Sequence, residues 1–96
     1  MSVYEKIMKL IRERPHYGEI LKRALEVEKN PPDDFVKEYG WEWHQVQAMP
    51  PHLVKLVGEG IVKICYKSRK YTHYKLVNIK ETEKALRELG LIKGGK

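Results

Sequence analysis

The chain has 96 residues, 19 of them Lys or Arg and 13 Asp or Glu, for a formal net charge of +6. That length supports one domain with a modest core and excludes a two-lobed enzyme built around a deep cleft. No segment approaches the ~20 consecutive apolar residues of a membrane span, and Met1-Ser2-Val3-Tyr4-Glu5 lacks the apolar stretch of a signal peptide.

A first helix is expected from Ser2, whose hydroxyl can cap the opening turn while Glu5 reaches back to the Ser2 amide. Val3, Ile7, Leu10 and Ile11 recur at helical spacing, and Pro15 ends or bends the element. A second helix runs from His16 to Glu28 with Ile20, Leu21, Ala24, Leu25 and Val27 inside; Asn30-Pro31-Pro32 then breaks the chain. Asp33 and Asp34 suit the positive end of a short third helix, Asp34 to Tyr39, with Gly40 as its left-handed cap. Pro50 and Pro51 are acceptable only in a first turn. They therefore divide the next segment into a helical turn near Glu42–Gln47 and a fresh helix from Pro50 to Glu59, stopped by Gly60. Leu53, Leu56 and Val57 face inward on it, His52 and Lys55 outward.

Two strands follow. Val62, Ile64 and Tyr66 alternate with Lys63, Cys65 and Lys67, the period of a half-buried strand. Thr72, Tyr74 and Leu76 alternate with Tyr71, His73 and Lys75 in its partner, and Ser68-Arg69-Lys70 joins the two. Asn78 caps a last helix with Glu81 at the capping-box position and Ala85, Leu86 and Leu89 inside; Gly90 ends it, and Gly94-Gly95-Lys96 is a loose tail. The charge is concentrated in the hairpin. Lys63, Lys67, Arg69, Lys70 and Lys75 stand in a stretch with no Asp or Glu, while the rest of the chain is almost neutral. A field localised in this way is the footprint of a polyanion site.

This order of helices, a helix ending in a glycine, and then a basic hairpin resembles the winged helix-turn-helix family, over roughly Asp33 to Val77. Phe35-Val36-Lys37-Glu38-Tyr39-Gly40 looks like the first helix of the helix-turn-helix and its turn. Leu53, Leu56, Gly60, Ile61 and Val62 match the end of the recognition helix and the start of the wing. The resemblance implies a mostly helical α+β domain over residues 1–96. Its N-terminal helices occupy 1–30, the helix-turn-helix 33–60, the wing 61–77 and a C-terminal helix 79–90. It implies duplex DNA binding, with Lys55 and His52 exposed on the recognition helix, Gln47 and His44 approaching the groove from its N-terminal side, and Lys67, Arg69 and Lys70 on phosphates or in the minor groove. Lys63 and Lys75 at the hairpin base would add phosphate contacts. The sequence departs from the family where Ala48, Met49, Pro50 and Pro51 replace the polar residues usual at the head of the recognition helix. Trp41-Glu42-Trp43 also lengthens the connection before it.

A small transcriptional regulator or chromatin-associated factor is the leading expectation. A protein-interaction module of a replication, transcription or RNA-processing assembly is the alternative, anchored by Trp41 and Trp43, of which one is expected to be buried and one partly exposed. A third is RNA or single-strand binding through Tyr66, Tyr71 and Tyr74. Lysines on an edge strand also serve simply to block aggregation. Val3, Tyr4, Met8, Leu91 and Ile92 either form a homodimer surface or complete the monomer's core. His44, His52 and Cys65 match no zinc spacing, no phosphate-binding loop or nucleophile motif occurs, and neither an enzyme nor a cofactor is expected. A lone cysteine fits a reducing compartment, so a cytoplasmic, nucleoid-associated location is the expectation. The abundance of Lys and Glu over Asn and Gln is similar to that of hyperthermophile proteins.

Overall fold

Capping chemistry sets most of the helix boundaries. In the computed structural model, which describes residues 1–93, the Ser2 hydroxyl accepts the Glu5 amide at 3.1 Å and the Glu5 carboxylate accepts the Ser2 amide at 3.0 Å, opening α1 (Val3–Glu13). Pro15 separates it from α2 (His16–Lys29). Asp33 Oδ1 accepts the Val36 amide at 2.8 Å and starts α3 (Asp34–Tyr39). A single 3₁₀ turn, Trp43–Gln45, precedes α4 (Pro50–Gly58), which begins on its two prolines, where a missing amide has no helical partner to lose. Strands β1 (Val62–Lys67) and β2 (Thr72–Leu76) pair antiparallel, and Asn78 caps α5 (Ile79–Glu88) by accepting the Glu81 amide at 3.0 Å. Among the described residues the fold is thus a small α+β arrangement of five α-helices and one two-stranded hairpin. None of those helices is long and apolar enough to cross a membrane. The expected Gly94-Gly95-Lys96 tail lies outside the described residues.

One core serves all the helices. α1, α2 and α5 pack on one another around Ile7, Leu10, Leu21, Ala24 and Leu86, while α4 contributes Leu53 and Leu56 and the root of the hairpin adds Ile61 and Val62. Val3, Tyr4, Met8, Leu91 and Ile92 are partly buried against this core. Glu81 departs from its expected capping-box role. Its carboxylate accepts the Tyr4 amide at 2.8 Å instead, satisfying an orphan donor in the first turn of α1 from across the helix interface.

The connection between α3 and α4 is a built element in its own right. Trp41 is fully buried, and its backbone exchanges two hydrogen bonds with Tyr74, N to O at 2.9 Å and O to N at 2.8 Å. Its indole stacks on the Tyr74 ring with centroids 5.5 Å apart. Glu28 completes the joint: the same carboxylate oxygen accepts the Trp41 indole N–H at 2.9 Å and the Leu76 amide at 2.5 Å. Gly40 has the positive φ that was expected, but for a different reason. At φ 109°, ψ 179° it is not a left-handed helix cap; the β2 backbone passes so close that a Cβ there would lie 2.2 Å from the Tyr74 carbonyl oxygen.

The strand pattern needs correction. Ile64 pairs with Tyr74 but Tyr66 pairs with His73, so Cys65 is the extra residue of a β-bulge. Cross-strand partners share a face, so the bulge moves Tyr66 onto the side of Lys63, His73 and Lys75, and Lys67 onto the side of Ile64. Beyond Val62 the strand is exposed, not half-buried. His73, on the other face of β2 from Thr72, Tyr74 and Leu76, is buried and donates from Nδ1 to the Gly40 carbonyl at 2.9 Å.

Two outcomes follow for stability. Gly40→Ala will lower it by at least ~3 kcal/mol, or roughly 12 °C or more in Tm, because φ strain and backbone collision act together; thermal unfolding followed by circular dichroism reads this. Burial raises the Glu28 pKa from its ordinary 4.5, against the lowering effect of the Trp41 and Leu76 donors and of Lys75 and Lys63. The native state therefore holds this proton to higher pH than the unfolded chain. The group's contribution is full below pH 4.5 and is lost as pH rises through the native pKa. Denaturant titrations across that window will show Glu28→Gln with a flatter pH dependence than the parent. Glu28→Ala, which strands two donors, will be ~2–4 kcal/mol less stable.

Candidate nucleic-acid interface

The hairpin tip is a short, pinned turn. The Ser68 amide donates to the Tyr71 carbonyl at 2.8 Å, and the Tyr71 amide donates back to the Ser68 hydroxyl at 3.1 Å. Arg69 and Lys70 lie between these anchors and are exposed, as is Lys67 on the strand leading to them. None of the three forms an ion pair among the described residues. The other cations of the expected site stand differently. Lys63 and Lys75 oppose each other across the strands. Such a like-charge pair is relieved here by nearby Glu28, whose pKa both lower. The Lys75 ammonium also donates to the Lys37 carbonyl at the end of α3, at 3.1 Å. These two belong as much to the fold as to any ligand.

The residues expected on and before the recognition helix are spread over other tasks. Lys55 is exposed but pairs with Glu59 at 3.1 Å, one turn on, beside Lys6, Lys9 and Glu13 of α1. His52 is half-buried, not fully outward. Its Nδ1 accepts the Met49 amide at 3.3 Å at the head of α4, and its ring packs 4.9 Å from His16 and 5.4 Å from Tyr17. His44 is exposed with Nε2 3.5 Å from the Glu42 carboxylate, and Gln47 is exposed in a left-handed conformation at φ 54°. The outermost stripe of α4 is apolar: Pro51, Val54 and Gly58 follow one another at helical spacing, with Val54 72% and neighbouring Met49 57% exposed. Lys55, four residues on from Pro51, borders that stripe and is the hydrogen-bonding side chain it presents to a base edge, already engaged by Glu59. Trp43, at 50% exposure, is the outward indole, and Trp41 the buried one.

Aromatic rings mount the hairpin on α3. Phe35, Tyr39, Tyr66 and His73 form a cluster with centroid separations from 4.6 to 5.6 Å, the last an edge-on contact between Phe35 and Tyr66. Tyr66 is spent there and Tyr74 on Trp41, which leaves Tyr71 as the tyrosine of the hairpin outside these ring clusters. Sequence spacing does not reveal that Phe35, Glu42 and His73 meet, since a helix, a bridge and a strand bring them together. No group of three or more His, Cys, Asp or Glu side chains is assembled for a metal ion among the described residues. No protein-family model, curated protein or solved structure matches the chain.

Proposed function

We propose that the chain is a winged-helix domain that binds double-stranded DNA, serving as a small transcriptional regulator or chromatin-associated factor. The observation that carries the reading is the trio Lys67, Arg69 and Lys70, exposed at a pinned turn and free of carboxylate partners among the described residues. Cations used only to protect an edge strand need no fixed presentation, whereas a backbone-gripping tip benefits from a turn already ordered before contact. The hairpin also springs directly from α4 through Gly60, which is the order a wing requires. Phosphate neutralisation supplies affinity without reading sequence, and the apolar stripe on α4 gives this reading little direct base discrimination. Affinity is assigned to the wing.

A second reading is supported by that same stripe: α4 docks a protein partner within a larger assembly while the wing holds nucleic acid. Exposed Val54 and Met49, with Trp43 nearby in sequence, are the side chains that interfaces use as anchors. The two surfaces are separable by experiment.

Duplex titrations at several salt concentrations test the wing. Replacing Lys67, Arg69 and Lys70 together by Ala will reduce the slope of log K against log salt by roughly 3, near 0.9 for each phosphate no longer neutralised. A slope unchanged in the triple variant would remove the wing from the interface. Val54→Glu, at an exposed position, will change stability by less than ~0.5 kcal/mol and leave duplex affinity intact if α4 lies outside the groove. A marked loss of DNA affinity would return α4 to the DNA side.

A further inference from the structure

Beside the wing tip, α3 and the segment after Trp41 border an open groove of about 380 Å³ lined by Phe35, Glu42, His44, Gln45, Tyr71 and His73. Its size falls within the ~300–1,000 Å³ of small-ligand sites. We propose that this cleft receives one unpaired nucleobase with a donor-rich edge, of the guanine type, while the wing-tip cations hold its phosphate. The inference rests on the nucleic-acid reading above and adds a ligand to it.

Two rings supply stacking surface. Phe35 is 45% and Tyr71 53% exposed on the walls of this open groove. Phe35 is braced from behind by Tyr39 at 4.6 Å and by the Tyr66 edge at 5.6 Å. The Tyr71 backbone is held by its two hydrogen bonds to Ser68, which places the ring at the cleft edge. An exposed ring already braced by its neighbours, as Phe35 is, loses little entropy when a base stacks on it.

Polar groups in the cleft match a base edge. Glu42 Oε2 lies 3.5 Å from His44 Nε2 and 3.9 Å from His73 Nε2, so the carboxylate stands at the cleft between the two rings. A carboxylate accepts from amino and imino donors of bases. Gln45 is held at its oxygen by the Glu42 amide at 2.8 Å, so its amide nitrogen remains a donor.

Charge decides between ligand classes. The interior carries Glu42, and Asp33 stands at the wall with one oxygen on the Val36 amide; both disfavour an anion inside. Arg69 and Lys70 immediately precede Tyr71 and disfavour a wholly cationic ligand outside. A nucleotide satisfies both ends, with its donor-rich base inward and its phosphate outward.

The experiment compares one duplex in four forms: fully paired, with a single guanine bulge, with a thymine bulge, and with an abasic bulge, each titrated by fluorescence anisotropy. The guanine bulge is expected to bind on the order of ten-fold tighter than the abasic bulge, with thymine gaining less. Tyr71→Leu and Glu42→Gln should each bring the guanine-to-abasic ratio close to one while the fully paired duplex binds as before, which also reports that the variants are folded. Equal affinity for guanine and abasic bulges, with paired duplex still bound, overturns the base pocket and leaves the wing reading standing. Failure to bind any of the four overturns both. Saturable binding of tetramethylammonium in place of a guanine preference would assign the cleft to organic cations and likewise overturn the proposal.

Discussion

The Glu28 carboxylate sits where α2, the Trp41 bridge and β2 meet, and one of its oxygens accepts hydrogen bonds from both of the other two. A half-buried carboxylate is costly to desolvate, and its raised pKa records that cost. Two well-placed donors offset it in part. These bonds act together on register: the indole meets this oxygen while the Trp41 backbone pairs with Tyr74, and that pairing fixes the start of the segment leading into α4. The far strand of the hairpin is fixed by the same oxygen through Leu76. Helix α4 and the wing are thus both referenced to one atom on α2. Gly40 makes the pairing possible, because any larger residue would collide with the Tyr74 carbonyl.

From that fixed base the hairpin departs from simple alternation. The bulge at Cys65 turns Tyr66 inward against α3 and leaves Ile64 half-exposed on the opposite face. An isolated two-stranded hairpin is marginally stable in water, and this one gains its support from Phe35 and Tyr39 of α3 on one side and Trp41 on the other. The aromatic residues near the basic turn are therefore mostly mounting, consistent with cross-strand and inter-element packing as their main work. Tyr71 is placed otherwise, exposed at the tip itself.

The elements governed by local chemistry were legible in the sequence. Ser2 with Glu5, Asp33, Asn78, and the paired prolines at the head of α4 each act through neighbours within a turn, and the helices begin where those residues stand. The division of labour between Trp41 and Trp43 was legible too, since they alternate about Glu42. What escaped was decided by contacts between distant segments. Glu81 satisfies Tyr4 of α1 rather than its own helix, His52 packs on His16 and Tyr17, and His73 is drawn inward by the Gly40 carbonyl. The bulge left no mark on the apolar pattern, because Val62, Ile64 and Tyr66 read as an unbroken alternation. At the candidate site, the tip cations were evident from charge alone, whereas the cleft joining Phe35, Glu42 and Tyr71 required the fold.

Electrostatics explain why the tip, and not the whole basic molecule, would orient a polyanion. Charges farther apart than ~8 Å are largely screened from one another at physiological ionic strength, so each region presents its own local balance. Elsewhere that balance is close to neutral: Lys29 and Arg87 share Glu83, Arg23 meets Glu19, and Lys55 meets Glu59. At the hairpin base Lys63 and Lys75 are answered in part by Glu28. Only beyond the bulge do cations accumulate without an answering carboxylate on the same strands, and the carboxylates that come near, Asp33 and Glu42, stand in the wall of the adjoining cleft. In the proposed reading, a polyanion at the tip would be turned away from that cleft at its phosphates, and only its uncharged, donor-bearing part would have reason to enter.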